Sequence, residues 1–161
     1  MIDEAQLFQE MMDAHWAGLS DGLTAFLTPV LVLVAWTCIL LLWMYITRIP
    51  AMQKAKINPD DYRHPGTSGE VLPANVRAVA DNYNHLHEQP TVFYALMMFA
   101  ALTGGADQTM TALAYGFVGL RILHSLVQIF SPRVLFRFSV FFLASITLIV
   151  MTGKEVIRVF L

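Results

Sequence analysis

Residues 23–47 read LTAFLTPVLVLVAWTCILLLWMYIT, a run of 25 residues without a charged side chain. An uncharged apolar stretch of about 18 residues or more can cross the hydrocarbon core of a bilayer as a helix. The run is longer than the apolar part of a signal peptide, and the residues before it are acidic rather than basic. The stretch therefore predicts a transmembrane helix that stays in the protein.

The composition of the whole chain agrees with a membrane protein. Of its 161 residues, 57% are hydrophobic and only 14% are charged, whereas soluble domains carry about 25% charged residues. The net charge of −2 excludes a nucleic-acid-binding module, which needs a basic surface. The single cysteine, Cys38, excludes a disulfide framework and a zinc site of several cysteines. Residues 1–161 are expected to form one integral membrane domain.

Three further segments complete a predicted all-α, four-helix bundle. The apolar run 91–103 would make only about 20 Å of helix, so it spans a membrane only if the polar stretch before it is helical too. Glycines at 104–105 and the Ser-Pro pair at 131–132 separate the later helices, because both pairs interrupt helical structure. The predicted helices cover residues 23–47, 74–103, 109–130 and 134–152, with a long loop at 48–73.

The charge distribution predicts the orientation. The first 47 residues contain no Lys or Arg, whereas seven of the ten basic residues lie in the long loop, at the start of the second helix and in the 131–137 turn. Cytoplasmic loops of membrane proteins are enriched in Lys and Arg. We expect the N-terminus outside and the site described below toward the cytoplasm. Residues 3–19 carry apolar side chains at helical spacing and predict either an interfacial amphipathic helix or a frayed terminus.

The second predicted helix carries a polar stripe. Arg77, Asp81, Asn84 and Glu88 follow one another at spacings of four, three and four, which places them on one helical face. Ionisable groups in membrane helices cost several kcal/mol unless they are paired or face water, so they suggest a functional site. The stripe indicates either a binding surface or an ion-pair and capping network at the cytoplasmic helix end.

The third helix brings Arg121, His124 and Gln128 to one face. Arg121 lies about nine residues from the nearest helix end, too deep for its guanidinium to reach the interface easily. We expect a carboxylate partner, either Glu88 or Asp81. Such a pair would either lock the two helices together or form part of a binding site.

The start of the fourth helix carries two arginines one turn apart, Arg133 and Arg137. They indicate either anchoring at the cytoplasmic boundary or an anion-binding pair, since arginine binds carboxylates in a bidentate manner and stabilises thiolates. A haem held by His124 with His85 or His87 is a further alternative. No histidine pattern typical of a metal site is present, and no metal is expected.

The motif Arg121-x-x-His124 followed by Arg133-x-x-x-Arg137 resembles the MAPEG family, the membrane-associated proteins in eicosanoid and glutathione metabolism. Its spacing is similar to that of the prostaglandin E synthase branch, as is the stretch KAKINPDD at 54–61. The start of the second helix resembles the family's RAxxNxxE segment, although Asp81 stands where Asn is usual. Gln128 replaces a Tyr of that branch and Phe138 replaces a Ser, so eicosanoid isomerase activity is not implied.

The resemblance implies a homotrimer that binds glutathione between neighbouring subunits near the cytoplasmic boundary. Arg137 would be the catalytic residue, stabilising the glutathione thiolate for attack on a lipophilic electrophile or hydroperoxide from the bilayer. The implied function is that of a glutathione-dependent transferase or peroxidase; the alternative is a non-catalytic MAPEG-like binding or scaffold protein. The residues expected to bind glutathione are Arg48, Arg77, Asp81, Asn84, Glu88, Arg121, His124, Gln128 and Arg133.

Overall fold

A computed structural model of the chain describes residues 3–57, 72–131 and 133–161. All regular structure in these ranges is helical, and they contain no strand, which confirms the predicted all-α fold. Most of the predicted long loop, residues 58–71, lies outside the described ranges, as does Pro132. The helices are α1 (Glu4–Lys54), α2 (Ala74–His85), α3 (Gln89–Leu102), α4 (Gln108–Phe130) and α5 (Val134–Phe160).

Helix α1 is longer than the predicted span of 23–47 at both ends. Its 51 residues correspond to about 76 Å of helix, against a hydrocarbon core of about 30 Å. Residues 4–22 continue the same helix and do not form a separate element. At the other end the helix runs through Pro50 to Lys54, so Arg48 belongs to a helix and not to the predicted loop.

The predicted single helix over 74–103 is broken in two. Helix α2 ends at His85 and α3 begins at Gln89, with a turn at residues 86–88. The cause is Pro90 near the start of α3, because proline lacks an N–H and its ring would collide with the carbonyl of Leu86 in a continuous helix. With 14 residues, α3 is about 21 Å long and too short to cross the membrane without α2.

Three helical segments of the described chain are long and apolar enough to cross a membrane: Gln6–Lys54, Gln108–Phe130 and Val134–Phe160. Helix α4 packs along α5, and α1 packs against α2 and α4. In the core, the rings of Phe93 and Phe117 stack with their centroids 4.7 Å apart. Leu33 and Leu40 of α1 are fully buried. This packing confirms the predicted helical membrane bundle.

A tight turn joins α3 to α4 at the end of the bundle remote from residues 131–133. Gly104 has a positive φ of 78°, a conformation that glycine adopts readily. The N–H of Gly105 donates to the carbonyl of Ala100 at 2.7 Å. This bond and the left-handed glycine form a Schellman motif, which ends α3.

Asp107 caps the start of α4 and joins it to α5. Its carboxylate accepts from the N–H of Met110 at 2.8 Å and forms an ion pair with the ammonium of Lys154. These two groups hold the pKa of Asp107 below its ordinary value of 3.8, with Lys154 the larger cause. A carboxylate with a lowered pKa stabilises the fold above its unfolded-state pKa, and this contribution is lost as the pH falls through the folded-state pKa.

We therefore expect Asp107→Ala to lower the free energy of unfolding by about 1 kcal/mol at pH 7, the usual cost of losing a helix cap. The difference from the wild type should shrink as the pH falls from 7 to about 3 and below. Thermal unfolding across that range measures it. Lys154→Ala is the control, because it removes only an exposed ion pair and should cost less. A difference between the wild type and Asp107→Ala that does not change with pH would contradict the prediction.

Candidate functional site

A polar cavity of about 320 Å³ lies where α1, α2, α4 and α5 meet. Three alanines of α2, at positions 74, 78 and 80, are among the residues that line it. Five residues that the sequence analysis named as site candidates line this cavity together. They are Arg48 from α1, Arg77 and Asp81 from α2, Gln128 from α4 and Arg137 from α5.

The helix positions explain why these residues meet. Arg77 and Asp81 are four residues apart on α2, one helical turn. Gln128 lies in the last turn of α4, and Arg137 lies at the end of the first turn of α5. The connection between these helices covers only residues 131–133, so the two side chains come to the same level. Arg48 reaches the cavity because α1 continues past residue 47.

The cavity has a positive local charge. Three guanidinium groups and one carboxylate line it, and among the described residues no ion pair joins Asp81 to any of the three arginines. Arg48 and Arg137 are half-buried, whereas Arg77 and Asp81 are exposed. Arginines without a carboxylate partner can bind an anionic ligand through charge-assisted, bidentate hydrogen bonds.

A second cavity, of about 200 Å³, lies beside the first and shares Arg137 with it. Its walls are largely apolar, and Phe138 in this wall is 59% exposed on the outer surface of the bundle. Arg137 is thus bordered by a polar space and by an apolar one. The other residues of the second cavity are His85, His124, Val134, Phe138 and Phe141.

His124 is buried in the wall of the second cavity, with 4% of its surface exposed. Its Nδ1 is 3.2 Å from the backbone carbonyl of Arg137, and its Nε2 is 3.1 Å from Oε1 of Gln128. The His85 ring stands edge-on to it at 6.3 Å between centroids. Because both nitrogens of His124 are engaged by protein groups, the arrangement does not fit the haem alternative, which needs a free nitrogen on each histidine. The other histidine considered, His87, is exposed.

Arg121 is fully buried in α4. Its Nη2 donates to the backbone carbonyl of His85 at 2.7 Å, and its Nη1 donates to Oε1 of Gln89 at 3.4 Å. The guanidinium carbon lies 5.6 Å from the centroid of the Phe141 ring, within range of a cation–π interaction. Neutral groups thus surround this buried cation and join α4 to α2, α3 and α5.

The expected ion pair of Arg121 with Glu88 or Asp81 is wrong. Glu88 lies in the turn between α2 and α3, where its side chain is 56% exposed and is 3.1 Å from Nδ1 of His85. Asp81 faces the polar cavity instead. The break at Pro90 is the physical reason, because it ends α2 before Glu88 and takes this residue off the helical stripe.

Four candidates line neither cavity, and one of them is the buried Arg121. The other three, Asn84, Glu88 and Arg133, are exposed. In the part of the chain that the structure describes, no group of three or more His, Cys, Asp or Glu residues could hold a metal ion.

The sequence analysis missed the inner polar residues of α2 and α3 and their partners. Asn82 is fully buried, and its Nδ2 donates to the carbonyl of Ser125 at 3.3 Å. Gln89 donates to Oγ of Ser145 at 2.7 Å. With His85, Asn82 and Gln89 form a second polar series at spacings of three and four. Periodicity alone could not tell this inner series from the predicted outer one.

Comparison with known proteins agrees with this architecture. The family model described as the MAPEG family matches residues 26–157, a range that contains both cavities and every predicted site residue. Neither the curated proteins nor the solved structures include a significant match to the chain. The chain therefore belongs to the MAPEG family, and it is a membrane protein of the glutathione and eicosanoid metabolism group.

Proposed function

We propose that the protein is a glutathione-dependent membrane transferase or peroxidase that acts on lipophilic electrophiles or hydroperoxides. The observation that carries the proposal is the polar cavity, in which Arg48, Arg77 and Arg137 surround a space together with Asp81. These four groups have a net charge of +2. Glutathione with its thiol ionised has two carboxylates, a thiolate and an ammonium, so its net charge is equal and opposite.

Each charged group of the cavity has a role in this proposal. Arg137 faces the sulfur and favours its ionised form, since a nearby guanidinium lowers a thiol pKa from about 8.5. Arg48 and Arg77 bind the carboxylates, and Asp81 binds the ammonium. The proposed assembly is a homotrimer with glutathione between subunits. In it, a neighbouring subunit would cover the exposed candidates Asn84, Glu88 and Arg133.

The thiolate is the nucleophile of both proposed reactions. In a transfer, its sulfur forms a bond to an electrophilic carbon, and the leaving group departs with its electron pair. In a peroxidase reaction, the sulfur attacks the outer oxygen of a hydroperoxide and the O–O bond breaks, with its electron pair going to the inner oxygen. The resulting alkoxide takes a proton from water and leaves as the alcohol. A second glutathione then reduces the resulting sulfenic acid, which gives the disulfide and water.

The apolar cavity beside Arg137 supports a lipophilic second substrate. Val134, Phe138 and Phe141 line it, and the exposed Phe138 ring connects it with the outer face of α5. An apolar molecule dissolved in the bilayer could reach the thiolate from this side. In the proposed orientation the N-terminus is outside and the polar cavity opens toward the cytoplasm.

Two residues favour the second candidate function, a MAPEG-like binding or scaffold protein without turnover. Gln128 stands in the polar cavity with its amide engaged by His124 at 3.1 Å, and the bulky Phe138 follows Arg137 directly. Neither side chain supplies a hydroxyl next to the sulfur. This candidate predicts that lipid or glutathione binds while electrophiles are not consumed.

Titration of glutathione into the detergent-purified protein tests the proposal through the ultraviolet absorbance of the thiolate. We expect a thiolate in the wild type and its loss in Arg137→Ala, with turnover lowered about 100-fold, the usual cost of removing a group that stabilises a reacting anion. Lys54→Ala is the matched control. Lys54 is an exposed cation at the same end of α1 as Arg48 and lines neither cavity.

The outcomes separate the two candidates. A thiolate that depends on Arg137 and consumes an electrophile supports the transferase or peroxidase. Glutathione binding without a thiolate or turnover supports the scaffold protein. A wild type that does not bind glutathione contradicts the transferase or peroxidase and leaves the scaffold candidate with lipid as its ligand.

A further inference from the structure

We infer that His124 is a positioning residue, which fixes Arg137 at the edge of the polar cavity through a hydrogen bond to the Arg137 backbone. This inference rests on the function proposed above for Arg137. The bond joins Nδ1 of His124 to the Arg137 carbonyl at 3.2 Å. It connects the C-terminal part of α4 with the first turn of α5.

The chemistry of the two partners determines the direction of this bond. A backbone carbonyl can only accept, so Nδ1 of His124 carries the hydrogen and donates it. In the neutral ring, Nε2 is then an acceptor, so the Gln128 amide must be turned round to present its NH₂ group, in place of Oε1, to this nitrogen. Both ring nitrogens are therefore occupied. His124 has no polar atom left for a ligand, although its position in the sequence motif predicts a binding residue.

The first turn of α5 has no side-chain cap and few buried side chains. Arg133 is the N-cap residue, and its side chain makes no capping hydrogen bond. The next three side chains, Val134, Leu135 and Phe136, are 65%, 78% and 50% exposed. Val140 is the first residue of α5 that is buried. Among the described residues, the bond from His124 is the one side-chain hydrogen bond that another helix makes to this turn.

The same ring also contacts the opposite wall of the cavity. Nε2 of His124 is 3.1 Å from the side chain of Gln128, which lines the polar cavity together with Arg137. The buried imidazole of His124 therefore contacts both the Arg137 backbone and Gln128, the residue of α4 that lines the polar cavity. The Phe141 ring, 5.6 Å from the His124 ring between centroids, limits its movement from the α5 side.

Two substitutions that place an amide at different positions separate the two bonds of the ring. His124→Asn places an amide N–H near the position of Nδ1, whereas His124→Gln places its amide near the position of Nε2. His124→Leu removes both hydrogen-bonding groups and keeps an apolar side chain of moderate size. Only the Asn variant is expected to preserve the bond to the Arg137 carbonyl.

The first readout is a pH titration of the thiolate absorbance with glutathione bound, combined with steady-state kinetics. We expect the Asn variant to titrate like the wild type. In the Gln and Leu variants the midpoint should move toward that of free glutathione and kcat should fall at least about tenfold, since a displacement of 1 Å can cost about 100-fold. KM for glutathione should change less than about threefold, because the charged groups that bind the tripeptide are intact.

The second readout is hydrogen–deuterium exchange over residues 133–141, which does not depend on activity. We expect faster exchange in the Leu variant than in the wild type, and wild-type exchange in the Asn variant. If the wild type forms no thiolate, the proposed function fails, and exchange alone decides whether His124 holds α5. If the wild type forms one, a Leu variant with wild-type midpoint and exchange overturns the inference. An Asn variant as defective as the Leu variant overturns it as well.

Discussion

Replacing Arg121 with alanine is expected to lower the free energy of unfolding by about 3 kcal/mol, because two buried acceptors would lose their donors. These acceptors are the carbonyl of His85 and Oε1 of Gln89, which the guanidinium now joins at 2.7 and 3.4 Å. Each buried polar atom left without a partner costs about 1–3 kcal/mol. The truncation also removes packing against Phe141. Arg121 is thus expected to be a structural centre of the bundle as well as a site candidate.

Two further substitutions separate hydrogen bonding from packing and charge. Arg121→Lys keeps the charge, but its ammonium lacks the planar fork that reaches two acceptors at once, so we expect about half the loss of the alanine variant. Arg121→Met keeps much of the aliphatic volume and leaves both acceptors unpaired. Thermal unfolding in one detergent compares the three variants with the wild type. A methionine variant as stable as the wild type would show that the hydrogen bonds contribute nothing.

Replacing Gly105 with alanine is expected to destabilise the opposite end of the bundle by about 2 kcal/mol, a typical cost of overpacking. The added Cβ would lie 2.6 and 2.7 Å from the two carboxylate oxygens of Glu155. A glutamate on the surface could move away from it. Glu155 is only 3% exposed and pairs with Arg158 at 2.6 Å. Arg158 in turn donates to the carbonyl of Thr103 at 2.9 Å, so a displaced carboxylate would release the whole turn.

A double-mutant cycle identifies the cause of this loss. In a Glu155→Ala background the added methyl group meets no carboxylate, so Gly105→Ala should cost little there, and the two effects should not add. Gly22→Ala is the control, since a Cβ at Gly22 would have no neighbour within 4 Å. That change should be neutral, or stabilising by up to about 1 kcal/mol. Additive losses in the cycle would exclude the contact as the cause.

Much of the site could be predicted because its residues follow local rules. The Arg77 and Asp81 pair is one helical turn apart, and Arg137 begins a helix that a Ser-Pro pair separates from the one before. These residues meet Arg48 and Gln128 in one cavity because all of them lie at the same end of the helical bundle. The break in the second helix could also have been predicted from the sequence, because Pro90 causes it.

The partners of Arg121 could not be predicted. The second helix is polar on two adjacent faces, one with Asp81 and Asn84 and the other with Asn82 and His85. Spacing is the same on both faces, so it does not indicate which of them turns inward. In the structure Asn82 is buried and His85 is half-buried, whereas Asp81 and Asn84 are exposed. Asn82 can be buried because its amide donates to the carbonyl of Ser125 in the core, whereas a buried carboxylate would need a positive partner.

The sequence by itself determined the membrane class, the apolar segments of the bundle and the end of the bundle at which the charged groups gather. These properties depend on hydropathy, segment length and helix breakers, which act within short stretches of chain. Only the tertiary structure decided that Arg121 binds neutral groups, that Glu88 turns outward and that His124 holds the start of α5. These contacts join residues that are distant in sequence. Which of them form depends on which polar atoms come together when the helices pack.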